Sequence, residues 1–322
     1  MNKILQQIAN TIVANLANTE SIGLFDGKLG IALFLCRYSR YSGNSVYEDI
    51  ASELLDDVFK QLKPTMSPSA IDGMASIGYG LSILLKEHFL ESDPDDDVLQ
   101  DIDDALLNHV KAPFLQEIHF PVPLYSSGLY LLSRIPYPDK GIERKWIDQV
   151  IENAIGYITQ GLEKAQFVPR LSLLSSMLFV FQRLMNTITT DKVNIEQLLK
   201  DILDLSAQAI QNNNYQELDI LLLKQGISNL PAKLKQGKHD TIKVIMQIDV
   251  PLNCDSKDFW YDNLWWSILY DAPIIEDVSL ENIVDYIDNR IRESYFDEMT
   301  VNGKLSAAGL WIMSKKRSTQ IY

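Results

Sequence analysis

The stretch of sequence that decides the fold is residues 27–35, which read Gly-Lys-Leu-Gly-Ile-Ala-Leu-Phe-Leu. Residues 73–81 repeat its character with Gly-Met-Ala-Ser-Ile-Gly-Tyr-Gly-Leu. Both stretches are apolar on nearly every side and carry small residues at short intervals. A helix that is hydrophobic all round is buried among other elements. We therefore predict that each stretch forms a helix in the interior of the protein.

Five more segments of this kind follow along the chain. The seven begin near positions 27, 73, 125, 173, 218, 263 and 303, at intervals of 40 to 52 residues, and the one at 218 is the weakest. Amphipathic helix patterns occupy the intervals, at 46–62, 98–110, 146–162, 195–210 and 278–291. Each of the seven units therefore has room for about two helices and two turns, one helix buried and one amphipathic.

This periodicity predicts an all-α protein, because alternating strand patterns are scarce. Units of this kind stack as an open solenoid or close into a ring. In a closed ring the buried helices form an inner barrel and the amphipathic helices an outer barrel. No linker or shift in composition interrupts the repeat, so we predict a single domain over residues 1–322.

The charge balance limits the partners of the protein. The chain carries 29 Lys and Arg against 43 Asp and Glu, a formal net charge of −14. Phosphate recognition needs a basic face, so we expect neither nucleic acid nor an anionic membrane surface as a partner. Basic peptides, metal cations and neutral ligands remain.

Two cysteines, Cys36 and Cys254, are too few for a disulfide framework and indicate a reducing compartment. Cys36 lies in the first buried segment, where we expect it to be an apolar core residue. No apolar run is long enough to span a membrane. Residues 4–16 have the spacing of an amphipathic helix and not of a signal peptide. We therefore expect a cytoplasmic protein without membrane insertion.

Residues 27–32 and 73–78 resemble the repeated glycine motif, Gly-x-x-Gly, that opens the inner helices of the lanthionine synthetase C-like (LanC-like) family. Residues 303–306 repeat the first half of it. The resemblance covers essentially the whole chain as a repeat pattern and is closest in the first two units. It implies an α/α toroid, a double barrel of about seven inner and seven outer helices.

Characterised members of that family are zinc-dependent cyclases. They add a cysteine thiol of a precursor peptide to a dehydrated serine or threonine, which forms a thioether. One cysteine at the start of a late inner helix, and a Cys-His-Gly motif at the start of the next, hold the zinc. The metal lowers the pKa of the substrate thiol and keeps a fourth coordination position open for it.

This sequence departs from that ligand pattern. It contains no Cys-His pair, and the starts of the fifth to seventh units, at 215–219, 260–264 and 300–303, hold neither a thiol nor an imidazole. Cys254 lies upstream of the sixth unit. The histidines are His88, His109, His119 and His239. We therefore expect a divergent member of the family that lacks the zinc ligands, with no metal and no cofactor.

Asp26, Asp72 and Asp262 each stand one residue before a buried segment. In a toroid all three would face the same mouth. One interpretation is helix N-capping, in which the carboxylate accepts hydrogen bonds from the first free N–H groups. The other is an acidic ring that binds a basic peptide or a cation, and both can hold at once.

Aromatic residues are densest at Trp260, Tyr261, Trp265 and Trp266, and Tyr125 stands at another unit start. Tyr261 and Trp265 are four residues apart, so they share one helix face. These side chains either pack in the core or form a stacking platform for a ligand. With the three aspartates, Tyr125, Trp260, Tyr261 and Trp265 are our candidate ligand-binding site.

The function that this pattern favours is a zinc-less LanC-like protein. It would bind a peptide as an accessory component of ribosomal, lanthipeptide-like peptide maturation, with a precursor peptide or a peptide-modifying enzyme as its partner. The sequence leaves open whether the chain is an enzyme and identifies no catalytic residue. The alternatives are an active lanthionine-type cyclase with an unconventional zinc site, an α/α-toroid enzyme acting on carbohydrate, and a purely structural interaction protein.

Overall fold

The computed structural model describes residues 2–63, 73–91, 98–109, 126–134, 170–187, 192–213, 217–249 and 301–319, with scattered positions at 65–66, 152–163, 215, 285 and 287. All regular structure in these residues is helical. The predicted all-α class is therefore confirmed, and an α/α toroid belongs to this class.

Twelve helices have defined bounds within the described residues. They are α1 (Asn2–Ala14), α2 (Lys28–Ser42), α3 (Val46–Gln61), α4 (Met74–Lys86), α5 (Gln100–His109), α6 (Ser126–Arg134), α7 (Leu171–Thr187), α8 (Lys192–Gln211), α9 (Glu217–Ser228), α10 (Ala232–Gly237), α11 (His239–Met246) and α12 (Val301–Thr319). A short 3-10 turn, Leu16–Asn18, follows α1.

These helices match the predicted repeat closely. Six of the seven buried segments coincide with α2, α4, α6, α7, α9 and α12, and the segment near 263 lies outside the described residues. Of the amphipathic patterns, those at 46–62, 98–110 and 195–210 coincide with α3, α5 and α8. The pattern at 146–162 is described only in part, and the one at 278–291 lies almost wholly outside.

The chain forms two compact units, and the first comprises residues 1–102 and 254–322. Within this unit α2 packs against α1, α3, α4 and α12. Its residues 29–36 are all buried, which explains why this stretch is apolar on every face. Helix α12 also packs against α1, so a helix from late in the chain completes the surroundings of the first buried helix.

A glycine allows α12 to approach α2. A Cβ atom at Gly309 would lie 2.2 Å from Cε2 of Phe34, well inside van der Waals contact. Phe34 is fully buried and stacks on Tyr38, with ring centroids 5.8 Å apart. Tyr38 in turn meets the edge of Tyr47 from α3 at 4.8 Å. One aromatic column therefore joins α2 and α3 directly beneath the contact with α12.

Two arginines of α2 hold the end of α4. The guanidinium of Arg37 donates to both carboxylate oxygens of Glu87, at 3.0 and 2.7 Å, and Arg40 donates to the backbone carbonyl of Glu87 at 3.0 Å. Arg40 also lies over the ring of Phe89, 3.8 Å from its centroid. Positive charge at a helix C-terminus interacts favourably with the helix dipole. His88, with φ of 58°, makes the left-handed turn that brings Phe89 back under Arg40.

The second unit comprises residues 103–253. Helix α7 packs against α6, α8 and α9, and it contacts α9 through buried polar groups as well as apolar ones. The hydroxyl of Ser175 donates to the backbone carbonyl of Asp219 at 2.9 Å. A Cβ atom at Gly226 would lie 2.9 Å from Leu178, so a glycine again sets the approach of two buried helices.

One outer position of this unit differs from the predicted pattern of one amphipathic helix per unit. Two short helices, α10 and α11, follow the buried helix α9 in place of one long helix. Only Leu234 in α10 and Ile245 in α11 are buried. The chain turns between them at Gly237 and Lys238, because Gly237 favours a helix end and Lys238 leaves helical backbone angles, with φ of −126° and ψ of 28°.

The predicted single domain over residues 1–322 stays a prediction, since each unit is compact by itself. Among the described residues, no helix combines the length and the apolarity that a membrane crossing requires.

Gly309→Ala tests the glycine contact in the first unit. The added methyl group has to displace the buried ring of Phe34, so we expect a loss of about 1–3 kcal/mol in the free energy of unfolding, as for other overpacked cores. Urea unfolding followed by circular dichroism measures it. Gly237→Ala is the matched control, because a Cβ there meets nothing within 4 Å. Equal changes in the free energy of unfolding of the two variants would contradict a tight contact between Gly309 and Phe34.

Candidate functional site

The loop before α2, residues 19–27, is the part of the predicted mouth that the structure describes. Most of it is buried, including Ile22, Leu24 and Phe25. It folds back over the start of α2, where the N–H of Lys28 donates to the carbonyl of Ser21 at 2.9 Å and the N–H of Gly30 donates to that of Gly23 at 3.4 Å. Two of the N–H groups that a helix leaves unsatisfied at its N-terminus are thus bonded to the loop.

The first glycine of the motif is required by this loop. A Cβ atom at Gly27 would lie 2.3 Å from the backbone nitrogen and 2.6 Å from the carbonyl oxygen of Gly23. Backbone atoms cannot yield as a flexible side chain can, so only glycine fits at position 27. The Gly-x-x-Gly stretch at the start of α2 is therefore a packing device in this chain.

Asp26 is half-buried and stands one residue before the helix. The N-cap residue of α2 is Gly27, so Asp26 stands one position before the N-cap, and capping by its carboxylate stays a prediction. The carboxylate remains next to a helix N-terminus, where the dipole favours negative charge.

Helix α4 begins in a similar way, with Gly73 as its N-cap residue. The hydroxyl of Ser76 donates to the carbonyl of Gly73 at 2.9 Å within the first turn. Asp72, which precedes Gly73, lies outside the described residues. The two helix starts share an N-cap glycine, so the repeat seen in the sequence has a structural counterpart.

The remaining candidate residues also lie outside the described residues. They are Tyr125, Trp260, Tyr261, Asp262 and Trp265. Whether these side chains meet Asp26 and Asp72 at one mouth stays a prediction.

Lys28, in the motif itself, is bound to the neighbouring helix. Its ammonium group lies 2.9 Å from the carboxylate of Asp57 on α3. The hydrogen bond and the charge of Lys28 hold the pKa of Asp57 below its usual value. This lysine therefore connects the buried helix α2 to α3, and its charge is paired with that of Asp57.

The second unit contains a buried charged cluster that was not predicted from the sequence. The carboxylate of Asp103, only 2% exposed, accepts from the hydroxyl of Tyr130 at 2.6 Å and from the guanidinium of Arg134 at 2.5 and 3.1 Å. A buried ion pair is tolerated when hydrogen bonds satisfy both partners, and the removal of one partner is costly. The cluster therefore fixes α5 against α6, the helix that directly follows Tyr125.

A signal for this cluster was present in the sequence. Asp103 occupies a core position of the α5 stripe, four residues after Leu99 and three before Leu106. Tyr130 and Arg134 are four residues apart, so they share one face of α6. A carboxylate inside an apolar stripe predicts a buried cationic partner, although the sequence does not say which one.

Cys36 does not fit the zinc ligand set of the LanC-like family. That ligand set needs two cysteines and a histidine, and Cys36 is only 3% exposed in the interior of α2. Burial, with the nearby charge of Glu48, raises the pKa of its thiol to about 12. A metal ligand has to be a thiolate, so Cys36 is unsuited to the role.

The described residues contain no group of three or more His, Cys, Asp or Glu placed to hold a metal ion. Cys254 lies outside them, so the expectation of no metal stays a prediction.

Thiol reactivity tests the state of Cys36. We expect Ellman's reagent to leave Cys36 unmodified in the native Cys254→Ser variant at pH 8, and to titrate one thiol after denaturation. The folded pKa of about 12 lies above the ordinary value of 9.0, so the folded state retains the proton. The free energy of unfolding should fall as the pH rises from 9 towards 12, and this component should vanish in Cys36→Ala. Rapid labelling of the native variant would contradict the burial of this thiol.

Comparison with known proteins gives one family match. Residues 18–114 match the family model described as lanthionine synthetase C-like protein. No curated protein and no solved structure matches the chain significantly. The matched segment contains the 19–27 loop and helices α2 to α5, in which the N-cap glycines Gly27 and Gly73 lie. The resemblance predicted from residues 27–32 and 73–78 is thereby confirmed over residues 18–114, which are similar to the lanthionine synthetase C-like family, and beyond residue 114 it stays a prediction.

Proposed function

We propose that this protein is a zinc-less LanC-like protein that binds a peptide as an accessory component of ribosomal, lanthipeptide-like peptide maturation. The family match supports a peptide as the ligand class, because the family acts on precursor peptides. The small number of cysteines, and the burial of one of them, support the loss of the zinc site on which the family's cyclisation reaction depends. The partner would be the precursor peptide, the enzyme that modifies it, or both in one assembly.

The observation that carries the proposal is the burial of Cys36. The sequence has two cysteines and no Cys-His pair, whereas the family's zinc is held by two thiolates and an imidazole. A thiol with a pKa of about 12 inside a buried helix does not serve as one of those thiolates. Cys254 is then the single thiol left, which is one too few for the family's ligand set.

Asp26 supports the peptide-binding side of the proposal. Its half-buried carboxylate lies at the start of α2, on a loop that glycine packing and two backbone hydrogen bonds hold in place. A rigid support keeps a binding group in a defined position. We propose that Asp72 and Asp262 extend this negative charge, and that Trp260, Tyr261, Trp265 and Tyr125 contact the apolar parts of the peptide.

Metal content tests the zinc-less part of the proposal. We expect elemental mass spectrometry of the purified, untagged protein to find no stoichiometric zinc, with none gained after zinc is added and excess removed. About one zinc per chain would mean an unconventional ligand set that includes Cys254. That result would overturn the proposal in favour of an active cyclase.

Peptide binding tests the other part. We expect calorimetry to detect binding of the precursor peptide encoded beside the gene, and Asp26→Asn to weaken it about tenfold, or about 1.4 kcal/mol, because one charged acceptor is lost.

Asp56→Asn is the control, since it removes the same charge from an exposed position of α3. An equal loss in Asp56→Asn would attribute binding to net charge alone and contradict a site at Asp26. No binding by the wild-type protein would remove the proposed function.

A further inference from the structure

One segment of this acidic protein, formed by the two short helices α10 and α11, is basic. Helix α3 carries five acidic residues against one lysine, α5 has three aspartates, and α8 has three acidic residues against two lysines. The α10–α11 segment instead carries four lysines and one aspartate. We call the outward side of α10 and α11, with Lys233, Lys235, Lys238 and Lys243, the basic surface.

Two of these lysines form no ion pair with the residues that the structure describes. Lys238 is paired with Asp204 on α8, and Lys233 lies 3.8 Å from Glu196 with 85% of its side chain exposed. Lys235 donates to the backbone carbonyl of Ser228 at 2.7 Å, which does not cancel its charge. Lys243 is exposed on α11. Within the described part of the chain, no carboxylate lies in ion-pair range of Lys235 or Lys243.

Apolar side chains lie beside these charges. Val244 is 49% exposed and Met246 is 41% exposed, whereas Ile245 between them faces the core. Lys243 and Met246 are three residues apart, so they are neighbours on the same helix face. On α11, Lys243 therefore faces solvent with Met246 on one side of it and Val244 on the other, and the exposed Asp240 lies about one turn before it.

We propose that the basic surface docks an acidic amphipathic segment of a partner protein. Carboxylates of that segment would pair with Lys235 and Lys243, and its apolar side chains would cover Val244 and Met246. Charge complementarity selects this occupant. A nucleic acid fits less well, because the chain as a whole carries −14 and a phosphate backbone offers no partner to the exposed Val244 and Met246. This surface lies in the second unit and does not depend on the mouth residues or on the peptide proposed to bind there.

The test uses the full chain and a defined probe. The probe is a fluorescein-labelled synthetic helical peptide, roughly four turns long, in which leucines form one face and glutamates the other. Fluorescence anisotropy measures its Kd at low and at high ionic strength. We expect salt-sensitive binding that Lys235→Glu/Lys243→Glu weakens at least tenfold and Val244→Ser/Met246→Ser about threefold. Lys243, Val244 and Met246 are exposed and Lys235 is partly exposed, so we expect the variants to fold. Circular dichroism verifies that they do.

The matched control is Lys60→Glu/Lys63→Glu, which makes the same charge change at exposed positions of the first unit. It should bind the probe within twofold of the wild-type protein. The proposal is overturned if the wild-type protein does not bind at low ionic strength, if the control loses as much affinity, or if Val244→Ser/Met246→Ser binds unchanged. It is also overturned if a single-stranded RNA competes as well as the unlabelled peptide. Wild-type dimers that Lys235→Glu/Lys243→Glu abolishes in sedimentation would identify a second copy as the occupant instead.

Discussion

The first unit depends on the close approach of α12 to α2 at Gly309 and Phe34. Phe34 is already fixed by stacking on Tyr38, and Tyr38 by its contact with Tyr47 of α3. The hydroxyl of Tyr47 reaches Asn10 of α1 at 3.0 Å, so a chain of contacts runs through four helices. Protein interiors are packed as densely as organic crystals, and one methyl group at the wrong place disturbs the whole chain of contacts.

At other contacts of α2, too, a glycine allows a neighbouring segment to approach closely. Gly80 of α4 would place a Cβ 2.6 Å from Leu29, and Gly27 lies directly on the backbone of Gly23. Small residues therefore occur where a buried helix meets a neighbour at short distance. The glycine spacing that resembles the LanC-like family thus records the packing of helices in this chain, whose sequence contains no Cys-His pair.

Much of the fold could be predicted from the sequence because the two kinds of helix differ in pattern. Buried helices such as α2 are apolar all round, and outer helices such as α3 have one apolar stripe. The α10–α11 break was missed because a repeat sets the spacing of units but not the local helix end at Gly237. The backbone hydrogen bonds between the 19–27 loop and α2 were missed because a loop that folds back on itself has no periodic signature. The Asp103 cluster depends on which helix faces α5, and a sequence pattern does not encode that choice.

The first unit joins residues 1–102 to residues 254–322, whereas the second is a single run of chain. During synthesis the N-terminal helices leave the ribosome long before α12 exists. Until then the face of α2 around Phe34 has no cover and is exposed to other chains in the crowded cell. All residues of the second unit are synthesised before α12, so this unit can become compact while translation continues. The first buried helix of the chain is therefore among the last parts to be fully packed, because α12 has to be synthesised before it can cover α2.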